Sequence, residues 1–180
     1  SWVVMIGGTF VLLSFVSSNL GSKACTDLII QLDNNSMQFI EESDIRERIT
    51  DLGNPVKGSP MSTIDLRKYE DEIKRMPEVE ATEVYATIDG RVVVSVKQRR
   101  PIVRIINAND SISVYVDDRG HVMPWSTKYT ARVLVINGHL TVPRSGSVED
   151  VMDGDTLQEQ SLFDDAFELA KYIENDDFWS

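Results

Sequence analysis

Along Val92–Gln98, Val92, Val94 and Val96 fall on one side of an extended chain, and Val93, Ser95 and Lys97 on the other. That is the two-residue period of a strand. A second β-rich segment, Val79–Ile88, precedes it, and the two meet at Asp89-Gly90, a strong short-range hairpin signal. Thr26–Leu32 predicts an earlier strand, closed by the turn-rich Asp33-Asn34-Asn35-Ser36. Between them the period changes. Ile45, Ile49 and Leu52 recur at helical spacing, with Ser43 as the expected N-cap and Gly53 as the stop. After a loop over Asn54–Pro60, Ser62-Thr63-Ile64-Asp65 resembles a capping box. It predicts a helix that turns Ile64, Tyr69, Ile73 and Met76 inward and ends at Met76-Pro77. The order β-α-α-β-β predicts a three-stranded sheet covered by two helices.

From Pro101 the texture changes. Ile102–Ile106, Ile112–Val116 and Arg132–Ile136 read as strands, with turns at Asn107–Asp110 and Asp117–Gly120. Pro101 suits the first position of a strand, because it cannot donate to a ladder. Leu162, Phe163, Ala166, Phe167, Ala170 and Ile173 then form one apolar face of a helix, with acids opposite. A half-built sheet followed by one helix leads us to expect further strands downstream. The fold class expected is α+β: an N-terminal anchor over residues 1–20, a small mixed domain over 26–98, and a mainly-β domain over 99–180.

The anchor rests on Trp2–Val16, an apolar run with no charge through Leu20. It is shorter than the roughly 20 residues a bilayer crossing needs. The chain enters it already hydrophobic and without an initiator Met, which reads as a membrane helix lacking its first turn. Trp2, Val3, Val4, Ile6, Phe10, Val11, Leu12, Leu13 and Phe15 are its expected anchor residues. A cleaved signal peptide is the main competitor, but no A-x-A site follows. A buried soluble helix is the other, and Gly7-Gly8 is costly there.

Charge and composition narrow the function classes. The formal charge is -11, and residues 149–180 alone hold 11 acids against one Lys. That argues against nucleic acid as the main partner, since phosphate binding needs a basic face. A single cysteine, Cys25, can make neither an internal disulfide nor a zinc site, and reads as a small buried residue. His121 and His139 sit beside glycines and read as solvated turn residues. Asp117-Asp118 has too few ligands for a calcium loop. There is no nucleophile motif and no Gly-rich phosphate loop, and Asp164 and Asp165 sit on an amphipathic helix. No catalytic residue, metal, cofactor or small-molecule substrate is expected. The one basic cluster, Lys97-Gln98-Arg99-Arg100, reads as an interdomain junction, with Gln98, Arg99, Arg100 and Pro101 as its residues; contact with anionic headgroups or nucleic acid is the competing reading. Val79–Ile88, if it lies at a sheet edge, offers unpaired backbone groups to an incoming strand; Glu80, Thr82 and Glu83 equally suit an edge that is merely protected.

Two stretches, MSTIDLRKYEDEIKRMPEVEATEVYATIDGRVVVSVKQRRPIVRIIN and VYVDDRGHVMPWSTKYTARVLVINGH, resemble the FtsQ/DivIB cell-division family, and its Gram-negative form in particular. The resemblance covers nearly the whole chain and lies in the succession of elements, not in any single word. It implies a cytoplasmic tail, one membrane helix, a periplasmic POTRA domain and a β domain whose strand turns on Asp118-Arg119-Gly120 and continues through Met123-Pro124. It implies no catalysis. The implied role is a divisome scaffold whose β domain binds the FtsB–FtsL pair and helps regulate septal peptidoglycan synthesis, while the POTRA part recruits partners including FtsK. Carried over, the recruitment strand matches Val79–Thr87, with Thr82, Val84 and Tyr85 as contact residues. The family's principal FtsB-binding strand matches nothing before Ser180. A POTRA module of a polypeptide-transport or outer-membrane assembly system, and a membrane-anchored hydrolase with its catalytic residues further on, are the alternatives.

Overall fold

The computed structural model describes residues 2, 5–9, 23–33, 38–53, 55–108, 112–139, 146, 147 and 157–176. Of the expected anchor residues, Trp2 and Ile6 are among them, both helical and exposed. Val3, Val4, Phe10, Val11, Leu12, Leu13 and Phe15 lie outside the described residues, as do Asn34, Asn35, Ser36, Asn109 and Asp110 of the expected turns. Among the described residues no helix is long and apolar enough to cross a membrane. The chain forms two compact units: Ser1–Asp33 with Glu41–Arg75 and Ala81–Val96, and Asn34–Ile40 with Met76–Glu80 and Lys97–Ser180.

The first unit is built on β1 (Asp27–Asp33), α1 (Glu42–Asp51), a 3-10 turn (Met61–Thr63), α2 (Leu66–Lys74) and most of β2 (Val79–Ala86) and β3 (Arg91–Gln98), in a sheet ordered β1-β3-β2; Val79, Glu80, Lys97 and Gln98 of those two strands are counted with the second unit. Strand β3 is central, so Val92, Val93, Val94 and Val96 are all buried. A half-exposed strand would have shown its odd-numbered valine to water. Leu28 and Ile30 of β1, Ile45 and Ile49 of α1, and Tyr69 and Ile73 of α2 complete the core, and Cys25 is buried beside β1.

Both helix starts differ from expectation. Glu41 caps α1, its N–H donating to Asp44 Oδ2 at 2.9 Å, which places Ser43 inside the first turn. Asp65 caps α2, accepting from the Lys68 N–H at 3.1 Å, while Ser62 lies in the 3-10 turn. A carboxylate competes well for these sites, because it satisfies an orphan N–H and meets the positive end of the helix dipole. The hairpin loop is longer than the two central residues of a tight turn. Thr87 N–H donates to Arg91 O at 2.8 Å and Gly90 N–H to Thr87 O at 3.0 Å, with Gly90 at φ 86°. Gly90 therefore takes the left-handed position that ends a three-residue hairpin loop, and β2 stops at Ala86, two residues before Ile88.

The second unit contains β4 (Pro101–Asn107), β5 (Ser113–Asp117), β6 (His121–Pro124), β7 (Leu134–Gly138), β8 (Gly146–Ser147) and α3 (Leu157–Glu174), with sheet order β7-β4-β5-β6-β8. Strands β4, β5 and β6 are antiparallel neighbours, whereas β7 returns parallel to β4 and pairs Val103 with Leu134. Strand β7 begins two residues later than the pattern predicts. One sheet face, with Ile105, Val114, Val116 and Val122, buries Phe163, Ala166, Phe167 and Ala170 of α3. The other carries Arg104, Tyr115 and Met123 in register. There the Phe39 ring packs edge-on against Tyr115 and Tyr129, at 5.3 and 5.0 Å. Leu162 departs from the expected apolar face and is half exposed, as is Leu169.

Asp164 on α3 has its carboxyl raised above the ordinary 3.8, first by burial and then by Asp165 and Glu168. The folded chain thus binds this proton more tightly than the unfolded chain. The group contributes stability below its ordinary value, and that contribution is lost as pH rises through the folded value. Asp164→Asn is expected to raise stability at neutral pH by up to about 0.5 kcal/mol. Denaturation midpoints at neutral pH and below the carboxylate range check this; an equal gain at both would contradict it.

Candidate protein-interaction sites

The basic word ahead of β4 becomes a set of paired charges. Lys97 Nζ lies 3.0 Å from Glu80 Oε1, and Arg100 pairs with Glu174. Gln98 is buried, and its Oε1 accepts from the N–H groups of Phe39 and Ile40, each at 3.1 Å. Arg99 is the most engaged. Its N–H donates to Glu78 O at 2.8 Å, Nε donates to Pro77 O at 3.0 Å, and Nη1 donates to Asp117 Oδ2 at 2.8 Å. Pro101 opens β4, and the register with β5 shifts between Pro101 and Val103. All of these contacts lie within the second unit. With each cation facing an acid or a carbonyl, the cluster presents little surplus positive charge to phosphate.

By its sequence position Asp117 reads as a turn residue. It is 2 % exposed, and besides Arg99 it accepts from Arg119 N–H and His121 N–H at 2.9 and 2.7 Å through Oδ1. One carboxylate thereby caps the β5–β6 turn and neutralises a guanidinium 18 residues away in sequence. The Asp-x-x-Gly spacing signals the turn, but nothing local signals Arg99. His121 also departs from the solvated-turn reading. It opens β6, is only partly exposed, and its Nδ1 is buried 3.4 Å from Asp117 Oδ2. His139 is exposed, as expected.

Strand β2 is a sheet edge, so one side of its backbone has no strand neighbour among the described residues. Its three expected contact residues are disposed differently. Thr82 Oγ1 donates to Ser95 O at 3.1 Å, which turns it toward β3. Val84 is buried, at 8 % exposure, and Tyr85 is 43 % exposed. Of the three, Tyr85 alone presents a large side-chain surface to a partner; the others would contribute backbone. Among the described residues no group of three or more His, Cys, Asp or Glu side chains is placed to hold a metal ion.

A POTRA-like domain family matches residues 23–97, and a family described as FtsQ/DivIB, C-terminal related, matches residues 100–180. No curated protein matches the chain. Both families are generally non-catalytic, and the second is associated with cell division. The POTRA-like match runs from before β1 to Lys97 in β3, and the other begins one residue before β4. A POTRA-like domain followed directly by this C-terminal module is the FtsQ/DivIB arrangement, and the chain belongs to the FtsQ/DivIB family.

Proposed function

We propose that the protein is a non-catalytic, bitopic scaffold of the bacterial divisome. It links early and late division proteins and helps control septal peptidoglycan synthesis through protein–protein contacts. The observation that carries this reading is the succession of the two family matches along one chain. In this reading residues 1–20 anchor the chain in the inner membrane, with the N-terminus cytoplasmic; residues 26–98 form a periplasmic POTRA domain; residues 99–180 belong to the β domain. Gln98, Arg99, Arg100 and Pro101 make the junction. FtsB and FtsL are the partners of the β domain, and the POTRA edge strand, with Thr82, Val84 and Tyr85, recruits partners including FtsK. The edge position of β2 and the exposure of Tyr85 support strand addition there. A POTRA module serving polypeptide transport is the second reading. It is disfavoured because an FtsQ/DivIB-related module follows the POTRA-like domain here.

The test is depletion of the full-length protein in its native cell, with complementation by a fluorescent fusion and by the same fusion carrying Tyr85→Asp. Filamentous cells rescued by a midcell wild-type signal are expected, with rescue lost or weakened by Tyr85→Asp. Normal division accompanied by missing outer-membrane proteins would overturn the divisome reading. Full rescue by Tyr85→Asp would remove Tyr85 from the contact.

A further inference from the structure

The tip of the β2–β3 hairpin lies against the residues that leave the apolar N-terminal run. Thr26 N–H and Oγ1 both donate to Gly90 O, at 2.8 and 3.1 Å. A Cβ placed on Gly90 would come 3.5 Å from Ala24 O. The stretch before Thr26 is pinned as well. Met61 N–H donates to Lys23 O at 2.9 Å, Cys25 N–H donates to Ser59 O at 2.8 Å, and Ala24 bridges to Pro60. Lys23, Met61, Ala86, Thr87, Ile88 and Gly90 line one open hollow at this end of the first unit. Ile88, at the apex, is 84 % exposed, while neighbouring β-branched residues of β3 are buried.

We propose that this hairpin tip is a membrane finger: Ile88 seats in the headgroup–acyl boundary of the bilayer, and Lys23 meets lipid phosphate beside it. The inference rests on the reading of residues 1–20 as a membrane anchor. If that run ends at Leu20, Lys23 lies three residues beyond it, a reach of at most about 10 Å. The polar zone of one leaflet is about 5–8 Å deep. Because residues 23–26 are hydrogen-bonded to the hairpin and to the loop at 58–61, the tip is held beside Lys23. Ile88 is then held where an exposed aliphatic side chain gains by leaving water. The charges around the tip suit this position. Asp89 pairs with Arg91, and Asp27 with Lys57 at 3.3 Å, so these four add no net charge. Lys23 takes part in none of the ion pairs among the described residues, and a Lys at this depth can extend its stem along apolar surface while its ammonium meets phosphate.

The test uses the full chain in nanodiscs of phosphatidylethanolamine and phosphatidylglycerol. Nitroxides are placed at Leu12→Cys, Ile88→Cys or Lys68→Cys in a Cys25→Ala background, and depth is read from relative collision with oxygen and a nickel chelate. The expected result is Leu12 in hydrocarbon, Ile88 shifted from water to the bilayer boundary, and Lys68 in water. Ile88 as aqueous as Lys68 while Leu12 is immersed would overturn the finger and leave the anchor standing, with a protein side chain as the hollow's alternative occupant. An aqueous Leu12 would overturn the anchor and the finger together. Hydrogen exchange on the chain with its native cysteine guards against misfolding. After correction for the intrinsic rates of the two sequences, the amides at positions 88 and 89 should be more protected in nanodiscs than those of an Ile88→Asp chain, and equal protection would also overturn the proposal.

Discussion

Replacing Asp117 with alanine should lower the stability of the β-rich unit by about 3–5 kcal/mol, the usual cost of deleting one partner from a buried ion pair. Three losses combine at this position. Arg99, whose side chain is 13 % exposed, keeps its charge but loses its carboxylate. The Arg119 and His121 N–H groups lose their common acceptor, Oδ1. The β5–β6 turn loses the group that joins its two ends. Asp117→Asn separates these effects. Its side-chain oxygen can still accept from both N–H groups, but the amide nitrogen then faces the Arg99 guanidinium, donor against donor. An intermediate loss is expected. Denaturant unfolding of the three chains measures the series; an alanine variant within about 0.5 kcal/mol of the parent, the range of ordinary surface changes, would show that the pair is not buried as described.

Gln98→Leu is the second large effect. The leucine conserves much of the apolar volume but offers no acceptor to Phe39 N–H and Ile40 N–H. Both residues are buried, at 4 % and 3 % exposure, so water does not readily replace the lost carbonyl. Each buried donor left without a partner costs about 1–3 kcal/mol. The loss should be local as well as global. Amide exchange at positions 39 and 40 should accelerate more than exchange along β4, because the Phe39–Tyr115 and Phe39–Tyr129 ring contacts depend on the backbone at Phe39 and Ile40 that Gln98 holds. Unchanged protection at both amides would mean that other groups hold the segment.

Periodicity was enough to locate β1, both helices of the first unit, the hairpin, and β4 and β5, because each has an apolar face of its own. Local chemistry was less decisive where two residues competed for one role. Ser43 and Ser62 are good caps by type, yet Glu41 and Asp65 take those positions. Strand β6 has four residues and ends in a proline, too short for a periodic signal, and only the family resemblance pointed through it. The parallel return of β7 to β4 leaves no local mark, since a strand's own pattern does not name its neighbour.

The candidate sites divide in the same way. The word Lys97–Pro101 is visible as a basic cluster, but whether it is a patch or a set of satisfied contacts depends on Glu80, Glu174, Pro77 and Asp117, which lie far from it in the chain. The edge strand was likewise recognisable by composition, whereas the inward turn of Val84 and the outward turn of Tyr85 required the sheet. By itself, then, the amino-acid order determined the elements, their sequence along the chain and the family, because periodicity and succession are local and additive properties. Only the tertiary structure decided which charges are neutralised, which edge is open and that Ile88 stands beside Lys23. Those depend on distances between residues remote in sequence, which the packing of the two cores sets.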